Sequence, residues 1–296
     1  MRRLIAVALA SASIVSMAAI VPASAAGPTT RTIYVTVVDA KGQPVPDLTP
    51  DDFVVKEGGK LREIASVEPA SDRMRLALMV EYPLVGQSYV RLGLAEFVAR
   101  MCESAEVGLF MITQRAEKLV EFTTNSSVLI DAITNLPLSP PRLSAAVPDA
   151  IYEMARQFEK TKPERPVIVL ATIEQGQMTE VDPESILSQV AKSKAQFWTV
   201  SIEPARSQPT GKAASLRDFA GRSQIIGDGP HQSGGRRIPI LTLPAFETGL
   251  KQVANDLSSQ YLITYVLPSG VRPSDRISVS LNKPGLTLRA PSRVPK

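Results

Sequence analysis

The chain has few of the side chains on which most hydrolytic and metal chemistry depends. Its 296 residues include one histidine, His231, and one cysteine, Cys102. A structural zinc site needs about four nitrogen or sulfur ligands, so these two distant residues cannot supply one. A histidine-assisted nucleophile would have to use His231, which stands in a Gly/Ser-rich segment that predicts a flexible loop. No glycine-rich phosphate loop is present. The sequence therefore argues against an enzyme.

The first residues have the order of a secretory signal peptide. Arg2 and Arg3 form a basic start, residues 4–21 form an apolar stretch, and Ala23-Ser24-Ala25 forms a small-residue cleavage site. We expect cleavage after Ala25, so that residues 1–25 are removed and the mature protein has no membrane span. A retained membrane anchor stays open as the alternative, because the apolar stretch approaches the length that crosses a bilayer.

The mature chain also has little net charge. Without the signal peptide it keeps 31 basic and 29 acidic side chains, a balance of about +2. This balance is too weak to predict nucleic acid binding. The single cysteine excludes an internal disulfide, and Cys102 ends an apolar helical face, so we expect it in the core. An exported protein without disulfides is compatible with a bacterial periplasm or an extracellular or cell-surface location.

Strand and helix patterns alternate from residue 74 to residue 267. This alternation predicts an α/β domain at 74–267, with a doubly wound, mostly parallel sheet and helices on both faces. The strand at 166–172 is apolar on both faces and is expected to be central. We expect the strand at 261–266 to be the last strand of the same sheet.

Short alternating strands precede and follow this domain. Residues 32–38, 53–56 and 64–67 read as strands, and residues 57–60 as the hairpin turn between the second and third. Two further short strands are expected near the carboxyl terminus. Because short strands need a partner sheet, residues 30–70 and 270–293 are expected to form one small antiparallel β annex beside the α/β domain.

Residues 205–240 are basic and rich in glycine, serine and proline. The basic side chains are Arg206, Lys212, Arg217, Arg222, Arg236 and Arg237. A patch for an acidic partner and a solvated loop both explain them, and the composition favours a solvated, disordered segment. The sequence alone does not decide whether this segment is functional.

Three segments together carry a family resemblance. They are residues 38–57, the strand at 76–81, and the helix–strand junction at 256–265, followed by a Lys283-Pro284-Gly285-Leu286 turn. In order and spacing they resemble the secreted von Willebrand factor A-related proteins of acidobacteria and similar soil bacteria. The resemblance covers nearly the whole mature chain, and it implies a von Willebrand factor A-like fold.

The resemblance also implies a cation site that this sequence cannot complete. In the family an Asp-x-Ser-x-Ser motif, a threonine before a helix and an aspartate after the central strand hold the ion. The matching positions here are Glu81, Pro83 and Val85, then Ala145 or Ala146, then Thr172. One carboxylate and one hydroxyl compete poorly with water for Mg²⁺. We therefore expect a degenerate site with no metal and no cofactor, at which Glu81 is either a ligand remnant or an exposed carboxylate.

The fold and the missing ligands together suggest a function. The resemblance implies a secreted, non-enzymatic module that contacts a protein partner, by interaction or adhesion, without a bridging metal. The residues expected at the contact are Glu81, Tyr82, Pro83, Val85, Ala145, Thr172 and Glu174. The alternative is a structural or assembly component of the bacterial cell envelope. An exposed apolar patch at this end of the sheet would favour the module, and an uncovered annex edge would favour assembly by strand addition.

Overall fold

The computed structural model describes residues 27–81, 84, 88–136, 146–173, 181–202 and 216–295. The predicted signal peptide and its cleavage site lie outside the described residues. The strands are β1 Thr29–Val38, β2 Phe53–Glu57, β3 Lys60–Arg62, β4 Ile64–Pro69, β5 Met74–Glu81, β6 Ala105–Ile112, β7 Ala116–Thr123, β8 Arg165–Ile173, β9 Gln196–Ile202, β10 Arg237–Ile240, β11 Tyr261–Leu267, β12 Ile277–Leu281 and β13 Thr287–Arg289. The α-helices are α1 Ser88–Met101, α2 Ser126–Thr134, α3 Val147–Thr161, α4 Pro183–Ser193, α5 Leu216–Ser233 and α6 Ala245–Ser258.

Six strands form the central sheet, in the order β10-β9-β8-β5-β6-β7. Neighbouring strands are parallel except for β7, which runs antiparallel to β6 at one edge. The two middle strands, β5 and β8, are buried along almost their whole length because both faces of the sheet are covered. The predicted α/β class, doubly wound and mostly parallel, is confirmed.

Helices cover both faces of this sheet. Apolar residues of α1, α2 and α6 form the core on one face, and those of α3, α4 and α5 form the core on the other. The α1 and α6 helices approach closely at Gly93, where an added Cβ would lie 3.0 Å from the Cα of Glu247. Among the described residues, no helix is both long and apolar enough to cross a membrane.

The annex consists of two antiparallel sheets that share one core. One sheet has the order β13-β1-β11-β4, and the other has the order β12-β2-β3. Strands from the two ends of the chain pair directly, β13 with β1 and β12 with β2. The shared core is formed by Ile33, Val35, Val37, Leu48, Phe53, Val55, Tyr261, Ile263, Tyr265, Ile277 and Val294.

Two strand assignments made from the sequence are wrong. The strand predicted to end the α/β sheet, β11, pairs instead with β1 and β4 of the annex. Its residues alternate between buried and half-buried, as in an antiparallel strand with one covered face. The predicted hairpin between β2 and β4 is also wrong, because β2 turns at Gly58 and Gly59, both at positive φ, and pairs with β3.

The disorder predicted for residues 205–240 is wrong for the part that the structure describes. Residues 216–233 form α5 and residues 237–240 form β10, an edge strand of the central sheet. His231 therefore lies in the last turn of a helix. Ile225 and Ile226 of α5 are buried in the core, and this packing outweighs the poor helix propensity of the surrounding glycines.

Candidate functional site

The candidate site lies at the carboxyl end of the parallel sheet, where β5 and β8 end side by side. Val80 is paired with Ala171, so the next residues, Glu81 and Thr172, are neighbours across the two strands. Glu81 is 1 % exposed and Thr172 is 0 % exposed. The structure thus brings together Glu81 and Thr172, the two residues that still carry a side-chain oxygen at the ligand positions of the family pattern.

Hydrogen bonds hold the Glu81 carboxylate inside the protein. The Thr172 hydroxyl donates to its Oε2 atom, and the backbone N–H of Ile173 donates to the same oxygen at 2.9 Å. The expectation of an exposed carboxylate at the strand end is therefore wrong. Glu81 is buried because the register of β5 on β8 places two hydrogen-bond donors of β8 beside this carboxylate.

The other sequence-predicted site residues divide into two groups. Those outside the described residues are Tyr82, Pro83, Val85, Ala145 and Glu174. Ala146 is described, and it precedes α3, where its backbone N–H donates to Thr113 O at 2.8 Å. Its methyl side chain offers no oxygen to a cation.

The donor set at this end does not fit the cation that the family resemblance implies. Mg²⁺ takes six oxygen ligands in a nearly octahedral arrangement and gives up water reluctantly. Here one buried carboxylate already accepts two internal hydrogen bonds, from Thr172 and from Ile173. Among the described residues, no three His, Cys, Asp or Glu side chains lie together as a metal site.

Large apolar side chains are exposed around the same end of the sheet. Tyr89 lies in the first turn of α1, which follows β5, and it is 56 % exposed. Leu92, one turn further along, is 52 % exposed, and Leu241, directly after β10, is 78 % exposed. None of these three residues is among the contact residues expected from the sequence. Tyr89 and Leu92 carry a signal, since each is an apolar residue off the buried stripe of its helix, whereas Leu241 follows a strand and has no such signal.

The basic residues of the 205–240 segment have mixed positions. Arg206 and Lys212 lie outside the described residues. Arg236 forms an ion pair with Asp256 at 3.2 Å, and Arg237 Nε donates to Ser201 Oγ at 3.2 Å. Burial lowers the pKa of Arg236, although Asp256 opposes the effect. These two arginines therefore make specific contacts with α6 and β9, which the side chains of a solvated loop would not make.

Comparison with solved structures finds similar folds at low sequence identity. An aerotolerance-related membrane protein from Bacteroides fragilis is 16 % identical, with a TM-score of 0.46 over 62 % of this chain and 98 % of that chain. The hypothetical protein BatB from Bacteroides thetaiotaomicron is 12 % identical, with a TM-score of 0.44 over 63 % of this chain and 100 % of that chain.

Proximal thread matrix protein 1 from the mussel byssus is 14 % identical, with a TM-score of 0.47. That match covers 68 % of this chain and 50 % of the mussel chain. Another structure of the mussel protein has a zinc-occupied MIDAS motif and is 14 % identical, with a TM-score of 0.46 over 70 % of this chain and 50 % of that chain. No protein-family model and no curated protein matches this chain.

Proposed function

We propose that this protein is an exported, non-enzymatic binding module that contacts a protein partner through the carboxyl end of its parallel sheet, without a bound cation. The observation that carries the proposal is the internal engagement of Glu81 by Thr172 and Ile173. A carboxylate used in this way does not reach out to a cation that could bridge to a partner. Contact at this end then depends on side chains and loops.

The exposed apolar side chains at this end support a macromolecular partner. Tyr89 and Leu241 each expose more than half of their surface to water. Buried aromatic and apolar anchors carry much of the free energy of protein interfaces, since their burial removes apolar surface from water. A protein surface that presents such side chains around loops is a suitable contact surface.

The placement of the reactive side chains supports a non-enzymatic role. Cys102 is 8 % exposed, and burial raises the pKa of its thiol, which disfavours the nucleophilic thiolate. His231 lies in α5 and lines a cleft with Arg237 and with Ser292, away from the carboxyl end of β5. Export is inferred from the basic start, the apolar stretch and the small-residue cleavage site in the first 25 residues.

Affinity capture from a cell-envelope extract tests the proposal, with the mature protein as bait. We expect mass spectrometry to identify a partner protein. Tyr89→Ser and Leu241→Ser should each reduce the amount of this partner that is captured, and EDTA should leave the amount unchanged. Leu61→Ser is the matched control, because Leu61 is 69 % exposed on β3 of the annex. Capture that is lost with EDTA would contradict metal-free contact. Capture that responds to Leu61→Ser as strongly as to the other variants would contradict the location.

A further inference from the structure

The edge of β1 is only partly covered in the annex. Along one side β1 pairs with β11 from Thr29 to Val35. Along the other side it pairs with β13 only from Thr36 to Val38. The stretch from Thr29 to Val35 therefore has no strand partner on the β13 side among the described residues.

Backbone direction decides which groups face this open side. Val266 N of β11 donates to Glu63 O at 2.9 Å on the β4 side, so the odd-numbered residues of β11, and the odd-numbered residues of β1 paired with them, direct their N–H and C=O groups toward each other. Even-numbered residues direct theirs to the other side, where Thr36 faces Arg289 of β13. Thr30, Thr32 and Tyr34 thus present N–H and C=O groups at the open edge.

Pro291 explains why β13 does not extend along this edge. Continuing the antiparallel register of Thr36 with Arg289 would place residue 291 opposite Tyr34, but a proline has no N–H to donate to the ladder. The chain leaves the edge here, and Ser292 N donates instead to Gln232 O at 3.0 Å. The departure leaves a cavity of about 460 Å³ beside Thr30, Thr32 and Tyr34, a usual size for a ligand site.

The far side of the cavity holds an unsatisfied amide. Gln196, the first residue of β9, lines the cavity and is only 4 % exposed. Neither its Nε2 nor its Oε1 atom has a hydrogen-bond partner in the structure. A buried amide without partners costs free energy, and both atoms are shielded from the cavity, so a small rotation of this side chain would let a bound group supply the acceptor and the donor that it lacks.

We propose that an extended peptide segment of a partner protein binds in this cavity as an added strand along β1. In an extended chain, the N–H and C=O of one residue point to the same side, and those of the next residue point to the opposite side. A peptide of about five residues would span the stretch from Thr30 to Tyr34 at ~3.3 Å per residue. Alternate residues bond Thr30, Thr32 and Tyr34, and an intervening residue offers its N–H and C=O to Gln196.

This site is separate from the contact proposed at the carboxyl end of the sheet. Gln196 begins β9, so the cavity lies at the amino end of the parallel strands, where the annex packs against the core. The charged residues that line the cavity are three basic ones, Arg31, Lys194 and Arg293, and one acidic one, Glu164. Main-chain hydrogen bonds along β1 give the affinity in strand addition, and the lining side chains set which peptide side chains are accepted.

Amide hydrogen exchange on the intact mature chain tests the proposal, with a short capped peptide of alternating threonine and valine as the probe. We expect the peptide to slow exchange at Thr30, Thr32 and Tyr34 by about tenfold or more at saturation. The same peptide with N-methylated backbone amides cannot form the ladder and is expected to give no protection. Absence of protection at millimolar peptide would mean a water-filled cavity and would overturn the proposal.

Two variants separate strand addition from other binding. Thr32→Pro removes an N–H at the open edge without removing a β11 hydrogen bond, and we expect about tenfold weaker peptide binding. Thr32→Val is its control and should bind normally. Gln196→Leu removes the buried amide while keeping similar volume, and it should also weaken binding. Equal affinity in all three variants would overturn the proposal, as would concentration-dependent protection by a second copy of the protein without peptide.

Discussion

Gly235 provides a stringent test of the order in the segment that follows α5. It is buried between α5 and β10, and a Cβ at this position would lie 1.9 Å from Phe197 O and 2.7 Å from Phe197 C. Both contacts are with backbone atoms of β9. A change of side-chain rotamer therefore cannot relieve them, and Gly235→Ala requires a movement of the main chain.

Hydrogen bonds on both sides of Gly235 restrict such a movement. Gly235 N donates to Pro230 O at 2.8 Å, and Thr199 N donates to Arg236 O at 3.0 Å. Overpacking costs about 1–3 kcal/mol, and weakening one or two backbone hydrogen bonds costs about 0.5–1.5 kcal/mol each. We expect Gly235→Ala to lower the free energy of unfolding by about 2–5 kcal/mol, a fall in Tm of roughly 5–15 °C for a chain of this size.

Gly227→Ala, on the same helix, is the matched control. An added Cβ there meets no atom within 4 Å, and Gly227 lies in the interior of α5. Alanine should therefore raise stability by about 0.5–1 kcal/mol. Urea denaturation and calorimetry of both variants measure the difference. A Gly235→Ala protein as stable as the wild type would show that this segment is not packed against β9.

Four further outcomes are expected. Thr172→Val should lower the free energy of unfolding, measured by urea denaturation, by about 1–3 kcal/mol, because the buried Glu81 carboxylate loses one hydrogen-bond donor. Thr172→Ser keeps a hydroxyl and should lower it much less. Millimolar Mg²⁺ or Mn²⁺ should leave Tm unchanged, because binding to the native state alone would raise it; an EDTA-reversible rise would contradict the degenerate site. Deleting residues 270–296 should make residues 30–70 sensitive to limited proteolysis, because β1 and β2 lose β13 and β12; unchanged protection there would contradict the shared core. Burial raises the pKa of Tyr265 from 10.0 to about 12, so the phenol ionises at lower pH in the unfolded chain than in the folded protein. The free energy of unfolding should therefore fall as pH rises from 10 to about 12, and it should fall less in Tyr265→Phe.

The parts of the fold that the sequence predicted are those with strong local signals. The continuous apolar run of β8 predicted a central strand, and β8 is buried on both faces. The start of α4 has a local signal too, because Asp182 stands directly before Pro183 and its side chain accepts a hydrogen bond from Ser185 N at 3.1 Å. Such features depend on residues within one element, so a single sequence reveals them.

The candidate site was predictable in chemistry but not in geometry. The residue types showed that the hard-cation ligands of the family pattern are missing. Whether Glu81 faces solvent depends on how β5 aligns with β8, which places Glu81 beside Thr172, a residue 91 positions away in the chain. No local pattern fixes that register. The burial of Glu81 by Thr172 and Ile173 therefore became visible only in the folded structure.

The position of β11 has the widest consequence for how the protein is organised. The helix α6 belongs to the α/β core, but β11, which follows it after two residues, belongs to the annex. At this junction Arg165 of β8 is 2 % exposed and donates to Leu257 O and to Gln260 Oε1, each at 2.8 Å. Gln260 in turn donates to Thr36 of β1 at 3.2 Å.

A buried hydrogen-bonded chain thus runs from the central sheet through Gln260 into the annex. Removing one member would leave the buried Arg165 charge with fewer acceptors, which is costly in a low-dielectric interior. Separating the annex from the core would also expose the covered face of β11, including Ile263 and Tyr265, both 0 % exposed. A boundary at residue 267 therefore divides a packed unit. We infer that core and annex unfold together, so that a partner bound at either end of the sheet stabilises the whole molecule.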